Sequence, residues 1–233
     1  MPKNYLIVGG SSGIGLALTR QLATAGHDVY VASRTAESVQ SIQGVEHITF
    51  DALGTDPLTL DLEHLDGLAY CPGSINLKPF HRLKTEDFLA DFQLNALGAV
   101  SVIQQCLPLL KKADHASIVL FSTVAVQQGM SFHASIAMAK GALEGLTRSL
   151  AAELAPKIRV NCLAPSIVNT PLAGRLLSTE DKIEASAKRH ALQRVGDSED
   201  LANAGTYLLS EASSWVTGQI LAIDGGMSSV KML

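Results

Sequence analysis

Short apolar runs and longer helical stripes take turns along this chain. The runs Tyr5–Val8 (YLIV) and Asp28–Ala32 (DVYVA) have the length and residue types of strands, and Gly9 and Gly26 bound them. HITF (47–50), GLAYC (67–71), SIVLF (117–121), IRVNCLA (158–164) and QILAI (219–223) continue the series. These runs are apolar almost throughout instead of alternating, as strands are when a parallel sheet is covered on both faces. Between them, Ile14–Ala25 keeps a helical stripe in Leu16, Leu18, Leu22 and Ala23, with Gly26 placed to end the helix. Helical patterns also fill Glu86–Leu110, Ala134–Leu154 and Glu199–Leu209, the last with Ser198 as expected N-cap. The alternation predicts one α/β domain over residues 1–233, a doubly wound parallel sheet of about seven strands flanked by helices.

Two stretches depart from this rhythm. Phe92–Leu110 carries no charge over a length that could span a membrane. It also holds Gln93, Asn95, Ser101, Gln104, Gln105 and Pro108, which predicts a buried helix of a soluble protein. Residues 170–200 are polar, charged and helical in pattern, with no strand expected. They read either as a solvated excursion or as a lid over the crevice at the strands' carboxyl ends.

Composition narrows the function. Of 233 residues, 47% are hydrophobic and 17% charged, enough apolar mass for a large core. A net charge of -4 argues against a nucleic-acid binder, which would show a basic surface. Cys71, Cys106 and Cys162 match no metal spacing, so no metal site is expected, and they suit buried thiols in a reducing compartment. The apolar run before Gly9 is too short for a signal peptide's core, and a cytoplasmic location is expected.

The chemistry starts at VGGSSGIG. Gly9, Gly13 and Gly15, with Ser11, Ser12 and Ile14 between them, follow the first strand and open the first helix. That order suits a pyrophosphate: glycines let the backbone approach closely, and a helix N-terminus offers free N–H groups. At the end of the second strand stand Ser33 and Arg34, with no carboxylate to hold adenosine ribose hydroxyls. A guanidinium there can pair with a 2′-phosphate, so NADP(H) is expected over NAD(H). Asp51 and Ala52, after the third strand, are candidates for the adenine side; Asp51 could equally cap a turn.

The chain resembles the short-chain dehydrogenase/reductase family nearly from end to end. GGSSGIG is similar to its cofactor loop and LNALG to its asparagine motif. The stretch from His133 to Thr170 resembles its active-site helix and following strand, and RVGDSEDLANAGTYLL onward its C-terminal segment. The resemblance implies a Rossmann-type domain, a small-molecule substrate, and a homotetramer or homodimer joined through the Asn95 and Lys140 helices and the last strand. It implies that Lys140 bonds the nicotinamide ribose and that Asn95 holds a water of a proton relay. It also implies that Pro165, Val168 and Thr170 lie at the carboxamide end, with Gly73 in the loop after the fourth strand.

Departures fall at the chemistry. Ile136 stands where the family has its tyrosine, Thr123 where it has serine, Tyr70-Cys71-Pro72-Gly73 in place of N-N-A-G, and Pro165-Ser166 in place of P-G. A threonine hydroxyl can still bond a substrate oxygen, but isoleucine donates no proton, so ordinary ketone reduction is expected to be slow. His133, seven residues before Lys140, is the nearest replacement acid. The family's enoyl reductase branch has its tyrosine at that spacing. Three readings stay open at this point: an NADP(H)-dependent oxidoreductase with a rebuilt acid/base group, an enoyl-reductase-like enzyme using His133, and a nucleotide-binding protein without turnover.

Overall fold

The computed structural model describes residues 2–231. In chain order it contains β1 (Asn4–Val8), α1 (Gly13–Thr24), β2 (Asp28–Ser33), β3 (Val45–Thr49), β4 (Gly67–Tyr70), α2 (Thr85–Phe92), α3 (Gly98–Leu110) and β5 (Ala116–Phe121). There follow α4 (Ala125–Gln128), α5 (Ala134–Leu154), β6 (Ile158–Pro165), β7 (Val168–Asn169), α6 (Glu180–Ala187), β8 (Gly196–Asp197), α7 (Ser198–Leu209) and β9 (Ile220–Ile223). Seven strands form one sheet in the order β3-β2-β1-β4-β5-β6-β9, and every pairing in it is parallel.

The pleat explains why the strands read as unbroken apolar runs. In β1, Leu6 and Val8 pack on one side of the sheet with Leu68, Tyr70, Val102, Ile103 and Leu143, under α3 and α5. Tyr5 and Ile7 point the other way, to Leu18, Leu22, Leu201 and Leu208 of α1 and α7. Alternate residues therefore enter two separate cores, and both must be apolar. Val8 lies opposite Ala32 of β2 and Tyr70 of β4, so the loops leaving β1, β2 and β4 emerge together where the strand order reverses.

Three local expectations are corrected. The Glu86–Leu110 stripe is not one α-helix: a π-helical turn over Gln93–Leu97 separates α2 from α3, and Tyr70 Oη donates to the Leu94 carbonyl inside it, at 2.7 Å. The cap of α7 is Asp197, not Ser198. The Asp200 carboxylate reaches back to accept the backbone N–H of Asp197 at 2.8 Å, which satisfies a donor at the start of the helix. The 170–200 excursion is less helical than expected, with α6 its one full α-helix between turns, and it does contain a strand. The short β8 pairs with β7 at Val168↔Gly196 and brings the excursion back to the sheet. Among the described residues no helix is long and apolar enough to cross a membrane, and the charge-free 92–110 run packs against the sheet.

Candidate active site

The turn after β1 has a backbone only glycine accepts. Gly9 and Gly13 sit at φ +75° and +50°, in the left-handed region. Gly15 has ordinary dihedrals but no room, since a Cβ there would lie 2.3 Å from the Gly9 carbonyl oxygen. Ser12 opens α1 with no side-chain cap, which leaves the first-turn N–H groups facing outward. Beyond β2, the Ser33 hydroxyl is already engaged, donating to the Thr35 carbonyl at 2.8 Å and bonded to His47 Nε2 at 3.0 Å. Arg34 is exposed and its guanidinium has no partner among the described residues, so of this pair only the arginine is available to a ligand. Asp51 accepts the Leu53 N–H at 3.0 Å, the turn-capping alternative foreseen for it, with Ala52 half-buried beside it.

Gly73 brings two of the expected residues together. A Cβ at that position would lie 3.3 Å from Asn95 Oδ1 and 3.5 Å from Lys140 Nζ. Lys140 is 7% exposed, and its ammonium donates to the Phe121 carbonyl at 2.7 Å. Burial pulls its pKa down to about 8. Asn95, fully buried on the π-turn, donates from Nδ2 to the Asp91 carbonyl at 2.8 Å and to Ser74 Oγ at 2.9 Å. Ser74 Oγ in turn donates to the buried Asp91 carboxylate at 2.7 Å. Asn95 Oδ1 has no hydrogen-bond partner among the described residues. An orphaned acceptor beside a buried ammonium is costly unless a ligand or water completes it.

These groups open into a cavity of about 370 Å³. Its lining includes Lys140, Thr123, His133 and Ile136 together with Pro165, Ser166, Val168 and Thr170, and also Ile14 and Gly73. Ile136 is 5% exposed and presents only methyl groups. His133 stands one residue before α5 with non-helical φ and ψ (-100° and 12°), so the straight helical spacing to Lys140 does not hold for it. Its Nδ1 donates to the Ser131 carbonyl at 2.7 Å. Thr123 Oγ1 accepts a long bond from Ala125 N–H at 3.3 Å and keeps its own proton free. The methyl of Thr170 would meet a Cβ on Gly13 at 3.2 Å, which ties the start of the excursion to the glycine turn.

The residues present fit a nicotinamide dinucleotide. The glycine turn and open helix terminus suit its pyrophosphate, and the orphaned Asn95 oxygen and buried lysine suit its polar ribose end. The family described as enoyl-(acyl carrier protein) reductase matches residues 8–228. The chain belongs to the short-chain dehydrogenase/reductase family. Over 97% of this chain and 92% of its own, a tropinone reductase homologue of Arabidopsis thaliana is 31% identical. The L-xylulose reductase of Bos taurus is also 31% identical, over 96% of each chain. The solved structure of ElxO with NADP bound superposes with a TM-score of 0.88 at 26% identity, covering 99% of this chain and 100% of that one.

Ile136, at the position the sequence resemblance gives to a tyrosine, is a buried aliphatic side chain. Sequence reasoning missed two groupings. Asp91 and Ser74 position Asn95; the clue was an acid four residues before the asparagine on a helical stripe. The second joins Ser166, at the family's glycine position, to His190 across 24 residues. No motif marks it, since His190 lies in the polar excursion.

Proposed function

We propose that this protein is an NADP(H)-dependent oxidoreductase acting on a small, largely apolar carbonyl compound or activated double bond, with an active site that lacks the tyrosine. The observation that carries this reading is one apolar-walled cavity lined by Lys140, Thr123, Gly73 and Ile14 of the glycine turn, with Asn95 Oδ1 beside Lys140 at Gly73. A nucleotide held only as a structural ligand needs no second cavity wall built of Ile136, Leu172 and Leu176. A bound nicotinamide supplies the hydride. The protein's part is to hold it by the turn and Lys140 and to orient the substrate oxygen at Thr123. In this reading the 170–200 excursion is a lid, carrying Leu172, Leu176 and Arg189 over the cavity. Homodimer or homotetramer assembly accords with exposed Leu89, Leu97 and Met138 on the α2, α3 and α5 side and with Trp215, 99% exposed before the edge strand β9. Three free cysteines accord with a cytoplasmic location.

The test follows loss of NADPH absorbance with a panel of ketones and enones. Consumption dependent on one of these substrates is expected; tight NADPH binding with no consumption would leave a nucleotide-binding protein instead. Arg34→Ala should weaken NADPH by about 1.5–3 kcal/mol, as for a charged hydrogen bond, and leave NADH unchanged. Equal loss for both nucleotides, or none, removes Arg34 from the 2′-phosphate site.

A further inference from the structure

Ile136 removes a hydroxyl from the cavity, and Ser166 adds one. Ser166 Oγ lies 2.8 Å from His190 Nε2, and His190 Nδ1 lies 2.8 Å from the Ser186 carbonyl oxygen. A carbonyl oxygen only accepts, so Nδ1 carries the proton and Nε2 is the bare acceptor facing the serine hydroxyl. His190 is 1% exposed, and both of its ring nitrogens are engaged. Ser166 is also where two cavities meet. Among the described residues it alone lines both the 370 Å³ cavity of Lys140 and Ile136 and a second of about 180 Å³, which His190, Asp224, Arg194 and Asp200 line. The charges facing His190 there are already held: Asp224 accepts the N–H groups of Gly226 and Ser228, and Arg194 pairs with Asp200. The imidazole thus has a hydroxyl on the substrate side and, on the other, a cavity with charged side chains in its lining.

We propose that Ser166, with His190 behind it, exchanges with the substrate oxygen the proton that the family resemblance assigns to a tyrosine. This rests on the oxidoreductase reading above. In the reducing direction, hydride from a reduced nicotinamide bonds to the carbonyl carbon and the C=O π pair moves onto oxygen. That oxygen takes the Ser166 Oγ proton, while Ser166 Oγ takes a proton from Nε2 of the imidazolium. His190 is left neutral, in the Nδ1–H form, and one proton taken up from solvent as hydronium, by way of the second cavity, restores the imidazolium. Imidazole is suited to this because it gains and loses protons near neutrality. Oxidation runs the same transfers backwards, with neutral His190 as base.

Two measurements test it. In the cofactor-free protein, nitrogen NMR of the imidazoles should show His190 as the Nδ1–H tautomer, with an Nε2 signal that moves in Ser166→Ala. The Nε2–H tautomer, or an unmoved signal, overturns the relay without reference to turnover. With the best substrate from the ketone panel, Ser166→Ala should lower kcat by the order of 10²-fold, as for loss of a general acid–base group. Ser166→Thr should retain most of the rate, and NADPH affinity should hold in both. Equal loss of NADPH affinity marks a structural role and overturns the relay. Turnover that survives Ser166→Ala but fails in His133→Ala moves the role to His133 and does the same. If the unmodified chain consumes no NADPH with any substrate, the oxidoreductase reading falls and the relay with it.

Discussion

The turn after β1 and the wall formed by α5 border the same cavity, yet they are specified in different ways. The turn is fixed through its backbone: Gly9 and Gly13 hold positive φ, and the Gly15 Cα packs where no side chain fits. The wall acts through side chains, Lys140, Ile136 and His133, carried on a scaffold that tolerates many sequences. A change in the turn must move main chain and disturbs binding and fold together. A change on the wall can alter the chemistry and leave the rest alone, and the Ile136 departure is of this kind.

The comparison is sharpened most by restoring what the wall lacks. Ile136→Tyr places a phenol on α5 one turn before Lys140, and the adjoining cavity gives the ring somewhere to go. General acid help is worth about 10²–10⁴ in rate, so reduction of simple ketones should rise by at least the lower figure. The gain should be clearest in a Ser166→Ala background, where it should restore what that change removes. A steady-state assay with an unhindered ketone reads it. No gain, with the ring shown to lie in the cavity, would mean that protonation does not limit this enzyme.

The matching change in the turn should show the opposite balance. Gly15→Ala puts a methyl 2.3 Å from the Gly9 carbonyl oxygen, where only main chain can give way. We expect a loss of several kcal/mol in stability together with loss of NADPH binding, measured by denaturant unfolding and by nucleotide fluorescence. A variant that melts normally and still binds would show that the turn is more plastic than its packing indicates.

Those two regions were not equally legible in the sequence. The glycine spacing, the strand before it and the helix after it are all local, so the turn could be placed by reading along the chain. The inner strands were legible for a related reason: β1, β4 and β5 fill two cores, and that requirement prints a nearly unbroken apolar run. What stayed hidden depends on contacts across the sequence. The π-turn at Gln93–Leu97 keeps a helical hydrophobic period, and only the Tyr70 hydroxyl reaching the Leu94 carbonyl reveals it. The Ser166–His190 contact joins the end of β6 to the residue after Arg189 in a charged segment where a histidine looks like one more solvated residue. His133 went the other way: its spacing implied a helical face, but the helix begins after it.

The smallest expected effect isolates Lys140, the wall residue whose burial is itself costly. An ammonium in this position loses its hydration and keeps one carbonyl partner, so its folded pKa falls to about 8 from the ordinary lysine value of 10.5. Between those two values the unfolded chain holds a proton that the folded chain has released, so stability climbs as pH rises from about 8 toward 10.5. Below about 8 the folded protein carries the full penalty of a buried charge, roughly 3 kcal/mol at 1.36 kcal/mol per unit. Lys140→Met keeps the length of the side chain and removes the charge. The nucleotide-free variant should therefore be more stable than the unmodified chain at pH 7, by up to that amount, and the advantage should shrink to nothing as pH passes 10. NADPH binding should weaken at every pH, because the ribose loses its partner. Urea unfolding at a series of pH values, with and without NADPH, separates the two effects. A variant that is less stable at pH 7 would show that the Phe121 hydrogen bond outweighs the desolvation of the ammonium.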